Sequence, residues 1–124
     1  MKCFRVGVVG ATGMVGQRFV SLLDGHPWFR LAAVAASPKS AGKLYGEAVK
    51  GRWAMARPIP QKAAGMTVLD AVADRRKMAG LVDFIFCAVD LDKASTRELE
   101  EDYARLECPV ISNNSACRAL PDVP

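Results

Sequence analysis

Three glycines, Gly10, Gly13 and Gly16, stand three residues apart in VGVVGATGMVGQRF, the stretch from Val6 to Phe19. Missing side chains at such a turn let the backbone approach a diphosphate. A helix that starts there adds free N–H groups and the positive end of its dipole. Thr12 contributes a hydroxyl donor to the same turn. The spacing Gly-x-x-Gly-x-x-Gly departs from the commoner Gly-x-Gly-x-x-Gly fingerprint, so strand before and helix after must carry the assignment against a plain tight turn. About 20 residues beyond the glycines comes Ser37-Pro38-Lys39-Ser40, where a site for NAD places an Asp or Glu on the ribose 2′-hydroxyl. No acid stands there. Two hydroxyls and a lysine suit a 2′-phosphate, which favours NADP as the cofactor. Serine and proline are also ordinary turn formers, and a bare turn is the competing account.

A third polar stretch, Ser112-Asn113-Asn114-Ser115-Ala116-Cys117-Arg118, combines amides, hydroxyls and an arginine. Such a loop can orient a carboxamide and clamp an anion with the planar guanidinium fork, or it is an asparagine-rich turn with a surface arginine. Asp90-Leu91-Asp92 reads equally as helix capping or as a cofactor contact. Cys117 beside Arg118 resembles an activated nucleophile but needs a base. The only histidine, His26, follows the first helix and so belongs at the opposite edge of the sheet, and neither residue receives a catalytic role. The four cysteines form no Cys-x-x-Cys pair, and Cys87 lies inside the apolar run DFIFCAVD. Neither a disulfide framework nor a metal site is indicated.

The elements that must position these residues follow from periodicity. Phe4 to Gly10 is a valine-rich strand, and Val15, Phe19, Leu22 and Leu23 trace a helical face that ends at Asp24-Gly25. With a second strand from Leu31 to Ala36, the first part of the chain reads as one βαβ unit. From Leu44 to Gly65 the pattern loosens; Pro58 and Pro60 speak against a regular element, and Trp53 anchors an excursion. Met66 to Leu69 reads as a short strand, Ala71 to Ala79 as a helix, and Asp83 to Val89 as a strand buried on both faces. Ser95-Thr96-Arg97-Glu98 fits a capping box ahead of a helix carrying Leu99, Tyr103 and Leu106, and Pro109 to Ser112 is a last strand. Alternating strands and helices predict an α/β fold, a Rossmann-like doubly wound parallel sheet whose ligands bind beyond the carboxyl ends of the strands.

The 124 residues, 51% hydrophobic and 24% charged, suit one domain over residues 1–124. The net charge of +4 is dispersed, and its one cluster, Arg75-Arg76-Lys77, has no aromatic neighbours. That pattern suits an anionic cofactor better than a nucleic-acid partner. The N-terminus shows no leader pattern and no apolar stretch approaches the roughly 20 residues that span a bilayer, so no membrane partner and a cytoplasmic location are expected.

In their order and spacing, GATGMVGQRF, ASPKSAGKLYG, DFIFCAVD and CPVISNNSACRALPDVP resemble the N-terminal part of the aspartate-semialdehyde dehydrogenases, in their archaeal and fungal branch. The resemblance runs continuously from about Phe4 to Pro124. It implies an NADP-dependent oxidoreductase that interconverts aspartyl 4-phosphate and aspartate 4-semialdehyde, at a branch point toward lysine, threonine and methionine. By the same resemblance, Thr12, Gly13, Met14 and Val15 hold the cofactor diphosphate, and Ser37, Lys39 and Ser40 hold the 2′-phosphate, where the family often has arginine in place of Lys39. Asn113 lies near the nicotinamide, and Arg118 binds the acyl phosphate or inorganic phosphate. Cys117 stands where this branch often has histidine. In this family a second domain carries the nucleophilic cysteine and the histidine base and is absent here. The resemblance therefore implies a fragment truncated before the catalytic domain, inactive alone, from a parent that is a homo-oligomer. Alternatives are a malonyl-CoA reductase or N-acetyl-glutamyl-phosphate reductase fragment, or a non-catalytic NADP-binding sensor module.

Overall fold

The computed structural model describes residues 4–89 and 93–112. Five strands form one sheet: β1 (Phe4–Val9), β2 (Phe29–Ala36), β3 (Leu69–Asp70), β4 (Phe84–Cys87) and β5 (Val110–Ser112). Every named strand pairing is parallel, in the order β3-β2-β1-β4-β5. The chain therefore works outward from β1 in one direction and then returns to build from β1 in the other, so the strand order reverses between β1 and β4.

Helices cover both faces because the strands bury both. On one side lie α1 (Met14–Leu23) and two single-turn helices, α2 (Tyr45–Ala48) and α3 (Gln61–Ala64). There Val20 and Leu23 of α1 meet Val6, Val8, Leu31 and Val34, joined by Tyr45, Val49 and Ala63. On the other side α4 (Arg75–Leu81) and α5 (Lys93–Arg105) bring Met78, Leu99 and Tyr103 onto Val9, Ala33, Ala35, Ile85 and Cys87. Each fully buried aliphatic side chain contributes about 1.5–3 kcal/mol, so the two layers supply most of the drive to fold. Tyr103 also donates its hydroxyl to Ala71 O at 2.8 Å, which ties α5 to the end of β3.

Several expected boundaries move, each for a long-range reason. Residues 66–68 are drawn away from β2. Tyr45 N donates to Met66 O, Gly42 N to Val68 O and Val68 N to Lys43 O, each at 2.8 Å, leaving only Leu69 and Asp70 as strand. The following helix starts at Arg75, not Ala71, because Asp70 Oδ1 accepts from Val72 N and Ala73 N and Asp74 Oδ2 accepts from Asp70 N. Those side-chain bonds hold 70–74 as a turn. The last helix spans Lys93–Arg105, so Ser95 lies inside it and is not its N-cap as expected.

The excursion contains the helices α2 and α3, contrary to expectation, since α2 ends before the prolines and Pro60 occupies the N-cap of α3. Trp53 anchors it as expected: its Nε1 donates to Arg57 O at 2.6 Å and its ring stands edge-on to Tyr45. The second strand starts at Phe29, two residues early, because His26 Nδ1 accepts from Trp28 N and Phe29 N at 3.1 and 3.2 Å. The fourth strand is shorter than expected and is not buried on both faces. Ile85 and Cys87 are buried under α4 and α5, whereas Phe84 and Phe86 are only half-buried on the α1 side, Phe86 stacked on Phe19 at 4.6 Å.

Candidate functional site

The glycine turn lies where the strand order reverses, the place at which open parallel sheets leave a crevice beyond their strand ends. Gly10 leaves β1 with φ +85°, and both Gly10 N and Ala11 N donate to Ala35 O on β2, at 2.8 and 3.1 Å. On the other flank Ala88 N donates to Val9 O at 2.8 Å. The turn is thus pinned to both neighbouring strands. A Cβ on Gly10 would lie 2.6 Å from the backbone C and O of Ala88, and one on Gly16 would overlap Gly10 O. Glycine at these two positions lets α1 and β4 close tightly around the turn.

Helix α1 begins with Gly13 as its N-cap, without a side-chain cap and without an acid in its first turn. Gln17 N is the first amide to find a helical acceptor, Gly13 O, at 2.8 Å. The amides of Thr12, Met14, Val15 and Gly16 have no partner among the described residues. Four donors without a partner among the described residues, at the positive end of a ten-residue helix, offer a seat that can take an anion.

A cavity of about 240 Å³ opens beside this seat, lined by Gly10, Thr12, Gly13, Ser37, Pro38 and Val72 among others. That volume lies below the roughly 300–1,000 Å³ of whole small-molecule pockets, which fits a groove taking part of an extended ligand. The turn after β2 forms its wall. Ser37 O accepts from Ser40 N and Ala41 N at 3.0 and 3.1 Å, which folds 37–41 into a single turn with Ser37 and Lys39 exposed and Ser40 buried.

Of the residues expected from the sequence, Gly10, Thr12, Gly13 and Ser37 line the cavity, and Lys39 and Ser40 continue the turn that Ser37 begins. Met14 and Val15 open α1 with exposed side chains outside the cavity lining, so the contribution they can make is through their amides. Asn113, Cys117, Arg118 and the segment 90–92 lie outside the described residues. His26 is at the opposite end of the sheet, its ring stacked on Phe29 at 4.8 Å, beside a separate cavity of about 280 Å³ lined by Val20, Leu23 and Ala63. The thiols of Cys87 and Cys108 are buried, and burial pushes Cys108 up to about 11, which keeps it a neutral core residue.

Two residues at the site were not singled out from the sequence. Gln17 is 2% exposed and Tyr45 fully buried, and both bond the glycine turn from behind. Gln17 was hidden by the helical face read from the sequence: α1 buries Gly16, Gln17, Val20 and Leu23, whereas Val15 and Leu22, expected on the apolar face, are exposed. Tyr45 carried no readable signal, because its contact spans 34 residues.

A parallel sheet of order 3-2-1-4-5, with a glycine turn feeding a helix N-terminus at the point of reversal, defines a nucleotide-binding α/β domain of the Rossmann-like class. Comparison with known proteins narrows the class. The chain belongs to the family of semialdehyde dehydrogenase NAD binding domains, whose model matches residues 5–124. It is 44% identical over 119 residues to the aspartate-semialdehyde dehydrogenase of Methanothermobacter thermautotrophicus, an alignment covering 96% of this chain and 32% of that protein. It is 39% identical to the Aspergillus fumigatus aspartate-semialdehyde dehydrogenase over 99% of this chain and 31% of that one. The crystal structure of aspartate semialdehyde dehydrogenase with NADP from Candida albicans superposes with a TM-score of 0.85 at 33% identity, over 98% of this chain and 32% of that one. The chain thus spans about a third of the length of the curated relatives it matches. No helix among the described residues is long and apolar enough to cross a membrane.

Proposed function

We propose that this chain is the NADP-binding part of an aspartate-semialdehyde dehydrogenase, an oxidoreductase that reductively dephosphorylates aspartyl 4-phosphate. The observation that carries the proposal is the adjoining of the anion seat at Gly10–Gly16 and an acid-free Ser37-Pro38-Lys39-Ser40 turn along one groove. The relatives named as aspartate-semialdehyde dehydrogenases, one of them described with NADP, support it.

In this reading Gly10, Thr12, Gly13, Met14 and Val15 hold the cofactor diphosphate, chiefly through backbone amides. Ser37, Lys39 and Ser40 hold the 2′-phosphate, Lys39 by charge and the serines by hydrogen bonding. Asn113 is assigned to the nicotinamide side and Arg118 to the substrate phosphate. When bound, the reduced cofactor supplies a hydride. The chain's own residues bind and orient that donor against the strand ends. The attack on the acyl group and the movement of protons are assigned to the two-thirds of such a polypeptide that this chain does not span. The chain by itself is accordingly expected to show no NADP- and phosphate-dependent turnover.

Calorimetric titration of the chain with NADPH and NADH tests the proposal. NADPH is expected to bind more tightly, and Lys39→Ala is expected to remove about tenfold of NADPH affinity while leaving NADH unchanged, as loss of one charge-assisted contact predicts. Equal affinity for the two cofactors would overturn the assignment to NADP.

A further inference from the structure

Carbonyl oxygens are the hazard in an anion-binding turn, because each one facing the ligand repels it. In the stretch from Gly10 to Gly13 all four carbonyls are engaged within the protein. Gly10 O accepts from Gly13 N at 3.3 Å and Gly13 O from Gln17 N at 2.8 Å, both local backbone bonds. The other two are held by side chains. Ala11 O accepts from the hydroxyl of Tyr45 at 2.7 Å, and Thr12 O accepts from Nε2 of Gln17 at 3.0 Å.

Gln17 is fully employed. Its Nε2 also donates to Arg52 O at 3.2 Å and its Oε1 accepts from Ala54 N at 2.9 Å. The glycine turn is therefore clasped to the excursion at two places, Tyr45 and the 52–54 segment. In a trans peptide the C=O and the following N–H point in opposite directions. Holding Ala11 O toward the core therefore turns Thr12 N–H away from it, and that amide is one of those without a partner among the described residues.

We infer that Tyr45 and Gln17 are positioning residues for the diphosphate of the cofactor, acting from behind without touching the ligand: Tyr45 sets the Ala11–Thr12 peptide plane so that Thr12 N–H faces outward, and Gln17 holds the Thr12 carbonyl back, the N–H of Gly13 being taken up by Gly10 O. The inference rests on the assignment of a dinucleotide to this groove. Burial raises the Tyr45 phenol well above its ordinary value, so the hydroxyl stays a donor across the working pH range. The excursion, which has no place in a minimal βαβ unit, thereby becomes part of the binding site.

The test compares NADPH, which carries the diphosphate, with adenosine 2′-monophosphate, which lacks it, by calorimetry on the chain and on Tyr45→Phe and Gln17→Met. Each variant is expected to weaken NADPH binding about five- to tenfold and to leave adenosine 2′-monophosphate unchanged. General loosening of the fold would weaken both ligands together, and that outcome overturns the inference, as does wild-type NADPH affinity in both variants. Should the variants fail to fold, amide NMR of the wild-type chain titrated with inorganic pyrophosphate decides. Saturable shifts at Thr12 together with Met14 to Gly16 are expected, and shifts at the helix amides with none at Thr12 overturn it. A wild-type chain that binds neither NADPH nor pyrophosphate removes the cofactor assignment itself along with the inference.

Discussion

Gly10→Ala is the substitution that most directly tests how the crevice is built. Two separate costs apply. The backbone at Gly10 has φ +85°, a left-handed conformation that costs an L-residue about 1–2 kcal/mol. The added Cβ would also lie 2.6 Å from the C and O of Ala88 and 2.8 Å from Val89 N. These are backbone atoms that cannot rotate aside, and overpacking of this kind costs about 1–3 kcal/mol. The sum is roughly 2–5 kcal/mol out of a total stability on the order of 5–15 kcal/mol. Gly25 supplies the control. Its φ is +70°, yet nothing lies within 4 Å of its Cβ position, so Gly25→Ala carries the backbone term alone, about 1–2 kcal/mol. Urea denaturation of both variants, followed by the fluorescence of Trp28 and Trp53, measures the difference. Gly10→Ala is expected to be the less stable by about 1–3 kcal/mol with an unchanged m-value. If the two variants unfold at the same urea concentration, the close approach of the Gly10 turn to Ala88 is refuted.

Removing the Tyr103 hydroxyl with Tyr103→Phe leaves Ala71 O buried without its donor at 2.8 Å, and a loss of about 1–3 kcal/mol in the same assay is expected. Burial raises the Cys108 thiol from 9.0 to about 11. A raised folded-state value means that its stabilisation is complete below the unfolded value and is lost as pH climbs from 9.0 to about 11. Stability should therefore fall over that window by roughly 2–3 kcal/mol from this group. Tyr45 and Tyr103, raised above 10.0 by burial, steepen the fall at its upper end. A Cys108→Ala chain should show a shallower decline between those limits, and an identical profile would remove the thiol from the account. Asp83 accepts from Arg5 N at 2.7 Å and from the Arg5 guanidinium at 3.3 Å. Because both side chains are substantially solvent-exposed, Asp83→Asn, which keeps an acceptor for the amide, should cost less than about 1 kcal/mol, and added salt should change wild-type stability little.

The parts of this protein that the sequence determined by itself are those governed by neighbours a few residues apart. Gly10, Gly13 and Gly16 between an apolar run and an amphipathic one specify strand, turn and helix, because the positive φ of Gly10 and the contact of Gly16 with Gly10 O are local, whereas the approach of Gly10 to Ala88 is a tertiary contact. Ser37 to Ser40 is placed beside that turn by the length of one βαβ unit. What depended on distant backbone was not legible. Residues 66–68 have strand-like composition but pair with 42–45 in place of β2, and Asp70 and Asp74 turn an apparent helix start into a capped turn. Periodicity also promised that Phe84 and Phe86 would be buried, whereas only the tertiary structure shows that their face of β4 is incompletely covered. The clasp at the site is the clearest instance. Tyr45 meets Ala11 O across 34 residues, and Gln17 reaches Arg52 O across 35. No pattern along the chain encodes which carbonyl a hydroxyl will find; that is decided when the excursion packs against α1 and each buried donor must take the acceptor in reach.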